Sequence, residues 1–136
     1  MPNDIIKTQR GYIALVTVLL ISAVALLVGI SANLLSISES QMGLQKNQGS
    51  KAYYLANLCA EDALFKLKEN LSYAGNETLF IGDGSCYIYE VEGSGNQNRV
   101  IKTTGSISKQ TRKMKVEIAQ VNPKMKIKTW QEIADF

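Results

Sequence analysis

Few residues in this chain of 136 have side chains suited to covalent chemistry. There is no histidine, so the commonest general base and the commonest neutral metal ligand are both missing. The two cysteines are Cys59 and Cys86, and neither belongs to a Cys-x-x-Cys pair, the usual thiolate spacing of a zinc site. They can join as one disulfide, closing a loop of about 26 residues worth roughly 3 kcal/mol, or remain as two buried free thiols. Glu61 and Asp62 are adjacent, and adjacent residues on a helix point in different directions, which does not suit a cooperating acid pair. Gly82-Asp83-Gly84-Ser85 is more simply a turn before a strand than a phosphate cradle, and no P-loop or dinucleotide fingerprint occurs. Asn70-Leu71-Ser72 and Asn76-Glu77-Thr78 spell glycosylation sequons of a kind that arises by chance. No catalytic, cofactor-binding or metal-binding residue is therefore expected, no cofactor is implied, and the chain reads as a non-enzyme.

The elements that carry these residues are sharply divided. From Gly11 to Ser38 there are 28 consecutive uncharged positions, mostly Leu, Val, Ile and Ala. As a helix this segment is about 42 Å long at about 1.5 Å per residue, enough for a hydrocarbon layer of about 30 Å. It is too long for the apolar core of a cleaved secretory signal. Residues 39 to 136 are too few to cover it on all sides in a soluble fold. Lys7 and Arg10, opposed only by Asp4, precede it, so the positive-inside rule places the N-terminus in the cytoplasm and the rest of the chain beyond the membrane. No proline occurs between Ser38 and Leu71, and Leu55, Leu58, Cys59, Leu64, Leu67 and Leu71 recur at helical spacing as an apolar stripe that needs a partner, so the rod continues to about residue 70. Gly43 and Gly49 weaken it by about 1 kcal/mol each, which predicts a bend or local melting within 43–50.

Residues 72 to 98 are rich in glycine and read as loop, with alternation beginning at Ser85. Cys86 and Ile88 alternate with Tyr87 and Tyr89; Ile101, Thr103, Gly105 and Ile107 follow; Met114, Val116 and Ile118 alternate with Lys113, Lys115 and Glu117. Three antiparallel strands result, and Met125 with Ile127 adds a fourth. The expected fold class is α+β, a long N-terminal helix whose second half packs on a meander of three or four strands.

The threshold of the apolar run, Arg10-Gly11-Tyr12, carries a resemblance. A short basic leader ending in glycine, an aromatic directly after it and a long apolar helix starting there resemble a type IV pilin or type II secretion pseudopilin precursor. Residues 52 to 67, AYYLANLCAEDALFKL, are similar to the pattern that follows the apolar segment in pilin-like minor subunits. The resemblance implies cleavage between Gly11 and Tyr12 by a prepilin peptidase in the membrane, N-methylation of Tyr12, and retention of the helix in the membrane and then in a filament core. It divides the chain into a leader (1–11), a hydrophobic helix (12–38), an amphipathic helix (39–71) and a sheet head (72–136). Its partners would be the membrane, the peptidase and other pilin-like subunits. One position departs from the family: where major pilins carry a glutamate at the fifth mature residue, this chain has Val16. An unpaired carboxylate in an apolar core is costly, so a subunit without it enters through packing or at an end, as a minor subunit would. An uncleaved single-pass anchor with a small extracellular binding head fits the same length and charge.

The soluble part is electrically polarised. Arg99, Lys102, Lys109, Arg112, Lys113, Lys115, Lys124, Lys126 and Lys128 face only Glu117 within residues 99–128, a net of +8, whereas residues 57–92 carry −5. This basic face can be a solvated surface that protects the sheet edge. It can also pack against the acidic helix and loop region of a neighbouring subunit, or hold DNA or another anionic surface with salt-dependent affinity. Only Trp130 lies close by in sequence to stack on bases, which disfavours DNA.

Overall fold

The computed structural model describes the backbone of residues 2–136 and the side chains of residues 11–136. The side chains of Lys7 and Arg10, on which the expected orientation rests, lie outside the described residues. Helix α1 runs from Pro2 to Glu69, and the chain divides into one compact unit ending at Gly43 and a second, Leu44–Phe136.

In the first unit the apolar side chains are uncovered by the chain itself; Leu26 and Leu27, for example, are each 67% exposed. The stretch is long and apolar enough to cross a membrane. Three of its hydroxyls are bonded within the helix: Thr17 donates to the Ala14 carbonyl, Ser22 to Val18 and Ser31 to Leu27, all at 2.8 Å. Back-bonding of this kind gives these three donors a partner within the helix, as a hydrocarbon environment requires.

The melting expected across 43–50 does not occur, and helical structure continues through these residues. Gly49 has a packing reason instead: a Cβ there would meet the Arg112 guanidinium at 3.2 Å. After Glu69 the chain turns at Asn70, whose amide donates to the Lys66 carbonyl at 2.9 Å and whose side chain accepts from the Ser72 amide at 2.9 Å. Lys66 and Lys68 in the last turn complement the helix dipole.

The second unit holds a five-stranded antiparallel sheet in sequential order: β1 (Glu77–Ile81), β2 (Gly84–Ile88), β3 (Gln97–Ile107), β4 (Gln110–Gln120) and β5 (Lys126–Ile133). The added strand is β1, in the stretch read from sequence as loop. Its hairpin with β2 closes through Gly82 at φ 57 and Asp83, a tight reversal that a residue without a Cβ adopts freely.

The amphipathic half of α1 lies on the sheet face that carries Cys86, Ile88, Ile101, Met114, Val116 and Ile118, all at most 2% exposed. Helix and sheet approach closely because the helix presents small residues. Ala52, Ala56, Ala60 and Ala63 are fully buried, and they share the interface with Leu55, Cys59, Leu64 and Leu67. Leu58, assigned to the buried stripe from its spacing, is 45% exposed on the flank of the helix. Two side-chain bonds fix the register of the layers. The buried Thr103 hydroxyl donates to the Ala56 carbonyl at 2.7 Å, and the Trp130 indole N–H donates to Asn57 Oδ1 at 2.8 Å.

Candidate functional site

Gly11, Tyr12 and Val16 all lie within helix α1. Nothing comes within 4 Å of a Cβ placed on Gly11, so no packing within the chain demands glycine there, as is also true of Gly29 and Gly43. Tyr12 is 71% exposed. A glycine inside a helix costs about 1 kcal/mol relative to alanine, and at Gly11 no fold requirement offsets that cost.

In the head the structure settles the fate of the two cysteines. Cys59 of the helix is bonded to Cys86 of β2, with Cα atoms 6.1 Å apart and both residues buried. The bond clamps the helix to the sheet and closes a long loop of the unfolded chain. The double variant Cys59→Ser/Cys86→Ser, which leaves no odd thiol, should lose about 3 kcal/mol. Its head should melt on the order of 15 °C lower. Fluorescence of Trp130, the only tryptophan, reports the transition because its indole is bonded to the helix. An unchanged melting temperature would mean that packing alone already fixes the two layers.

The nine cations that the sequence groups on one basic face are distributed over five environments. Lys102, Lys113 and Lys115 do lie on the sheet face away from the helix, but each is ion-paired, to Glu92, Asp135 and Glu117 respectively. Arg112 is on the helix side and pairs with Glu132 at 2.9 Å, while Lys109 is exposed in the β3–β4 turn. Lys124, Lys126 and Lys128 line the free edge at β5.

Arg99 is not on the surface at all. It is 4% exposed, because alternation along β3 places it on the side of Ile101 and Thr103. Its Nε donates to the Glu92 carbonyl at 3.1 Å, and Nη1 donates to the carbonyls of Leu71 and Gly95 at 2.9 Å each. The guanidinium thus ties the exit of the helix to the loop before β3, its charge solvated by carbonyl oxygens in place of water.

The outer face also gathers aromatics that are scattered in the sequence. Tyr87 and Tyr89 lie edge to face at 4.8 Å, and Phe136 stacks edge-on to Tyr89 at 4.9 Å, with the Lys113 ammonium 5.0 Å from the Phe136 ring centre. Stacking residues are therefore present beside lysines. The carboxylates paired to those lysines nevertheless leave little net charge, which does not favour a polyanion.

Titrating groups are similarly engaged with one another. Lys66 bridges Asp62, at 2.7 Å, and Glu77, and the Tyr73 hydroxyl donates to Glu77. The Lys66 ammonium and then the Tyr73 hydroxyl hold the Glu77 carboxyl below its ordinary range. Burial, followed by the bond to Glu77, pushes the Tyr73 phenol up. Hydrogen bonds to Asp62 and Glu77 raise Lys66. The bonds from Lys66 of the helix and from Tyr73 to Glu77 tie the helix to β1. Among the described residues no group of three or more His, Cys, Asp or Glu side chains converges to hold a metal ion.

The arrangement defines an α+β protein, a long apolar N-terminal helix whose second half is packed on a five-stranded antiparallel sheet. No protein-family model, curated protein or solved structure matches the chain.

Proposed function

We propose that the chain is a structural subunit of a pilin-like filament, a minor one, and not an enzyme. On this reading a prepilin peptidase cuts after Gly11 on the cytoplasmic side and Tyr12 becomes the N-methylated terminus. The apolar half of α1 holds the subunit in the membrane and afterwards joins a filament core of pilin-like subunits, while the head stands outside. The observation that carries the reading is an uncovered apolar stretch and a sheet-bound amphipathic stretch that both belong to α1, the first beginning at a glycine that no contact among the described residues requires. Lys7 and Arg10 ahead of the apolar run support the orientation, and Val16 supports the minor role.

The test is the intact mass of the chain from cells with an active prepilin peptidase. The unsubstituted protein should lack residues 1–11, and Gly11→Val should keep them while still fractionating with membranes, because insertion depends on the apolar run and cleavage on the threshold. Retention of the leader by the unsubstituted protein, or cutting of Gly11→Val at the same bond, would overturn the reading and leave an uncleaved single-pass anchor.

A further inference from the structure

The sheet has two free edges, and their chemistry is opposite. At β5, Lys126 and Lys128 on the strand and Lys124 just before it are all exposed, and none forms an ion pair among the described residues. Lysines so placed keep a like strand from adding there. The β1 edge has no such guard. Glu77–Ile81 contains neither lysine nor proline, and Thr78, Phe80 and Ile81 are exposed, Phe80 at 83%. The margin of β1 is also acidic. Asp83 in the β1–β2 turn is exposed and outside every ion pair, and Glu77 shares the single Lys66 with Asp62, which leaves that triad with a net negative charge. Beside Asp83 an open groove of about 260 Å³ is lined by Tyr54, Leu55, Leu58, Ile81 and Ile107, with Lys51 of the helix as the single cation on its rim.

We propose that the β1 edge receives the β5 edge of a second copy of this chain, so that the sheet of one head continues into the next. Three pairings of the free edges are available, and charge selects among them. Two β5 edges would bring three lysines against three, and two β1 edges would bring one acidic margin against another. Only β5 on β1 sets basic against acidic. The segment Lys124-Met125-Lys126-Ile127-Lys128 supplies free backbone groups along β5, with lysines to reach Asp83 and the Glu77 triad. Ile127, 44% exposed and paired with buried Ile118, lies on the same sheet face as the apolar groove. Because the two edges are different surfaces, the contact is heterologous. Each added copy leaves one edge of each kind free, so the product is an open row rather than a closed dimer.

The contact rests on the folded head and not on leader processing, so Gly11→Val should associate as the unsubstituted chain does. The test uses full-length protein in detergent micelles, followed by sedimentation against protein concentration and salt. The unsubstituted chain should self-associate, more weakly as salt rises. A set with reversed β5 charge (Lys124→Glu, Lys126→Glu, Lys128→Glu) and a set with a guarded β1 edge (Thr78→Lys, Asp83→Lys) should each associate about tenfold more weakly or worse, because each now has two like-charged edges. Mixing the two sets should restore association, since the acidic edges of one then face the basic edges of the other. Trp130 emission confirms that each set is folded; if the glutamate set fails that check, Lys→Gln at the same positions makes the comparison. The proposal is overturned by an unsubstituted chain that stays monomeric, by variant sets that associate as it does, as contact through the apolar helix would produce, or by a mixture that recovers nothing.

Discussion

Gly105→Ala should unseat the helix from the sheet. The glycine is in the middle of β3, opposite Arg112 of β4, where a side chain would normally point into the core. A Cβ built there would come within 2.5 Å of the Ala56 backbone nitrogen, nearer still to the Ala52 carbonyl oxygen, and 3.0 Å from the Leu55 Cβ. These are mainly backbone atoms of a helix, which cannot move aside by changing rotamer. The whole amphipathic half must rise, and that breaks the Thr103 bond to the Ala56 carbonyl and strains the clamp at Cys59. Overpacking of ordinary cores costs about 1–3 kcal/mol, and with no side chain able to yield the cost here should reach about 3 kcal/mol or more. Melting followed by Trp130 fluorescence measures it. A melting temperature within a few degrees of the unsubstituted protein would show that the helix rests on the sheet less closely than its alanines imply.

Val16→Glu separates the two readings of the N-terminal half by the sign of its effect. If the chain is processed and assembled, a carboxylate at the fifth mature residue can meet the free amine of a neighbouring subunit, and incorporation into filaments should rise. If the chain is an uncleaved anchor, no amine lies nearby, because residues 11–38 hold no charged side chain. The acid then only weakens insertion, by at most about 2.5–3.5 kcal/mol on insertion scales and less for a site away from the bilayer centre. Quantitative immunoblots of sheared filaments and of membrane fractions read both effects together. Less protein in the membrane with no gain in filaments would remove the support that Val16 lends to a minor pilin.

Much of this architecture is legible in the residues, and the misses have particular causes. Strands β2 to β4 show themselves because one face is buried, which forces apolar residues to alternate, and β5 shows itself through Met125 and Ile127 between lysines although none of its residues is buried. Strand β1 does not: it is five residues long, set between Gly75 and Gly82, and its half-buried edge position relaxes the alternation. Counting leucines puts Leu58 on the buried stripe, whereas the contact made by Leu55, Cys59, Leu64 and Leu67 is shared with Ala52, Ala56, Ala60 and Ala63, whose small size decides how near the sheet comes. Arg99 was grouped with the surface cations by charge, although its register with Ile101 and Thr103 along β3 already marked it as inward. The cysteine pairing could not be chosen from spacing, since distance along the chain does not say whether two thiols meet in space. At Gly11 and Tyr12 the limit is different: whether a peptidase cuts there depends on what that enzyme recognises, and the backbone at these residues is helical like that of their neighbours.

The clamp between Cys59 and Cys86 also sets an order of events while the chain is being made. A ribosome finishes the helix before any of its sheet partners exist, and Met114 on β4 lies 55 residues after Cys59. At about 5–20 residues per second, Leu55, Cys59 and Leu67 therefore wait roughly 3–11 s for the sheet to extend to Met114, although Cys86, 27 residues after Cys59, arrives in about half that time. Their reduced thiol and apolar stripe are vulnerable during that interval to mispairing with other chains. The small alanines that let the finished layers approach so closely also make the waiting helix less adhesive than a stripe of leucines would be. Close packing in the folded head and restraint in the unfinished one come from the same four residues.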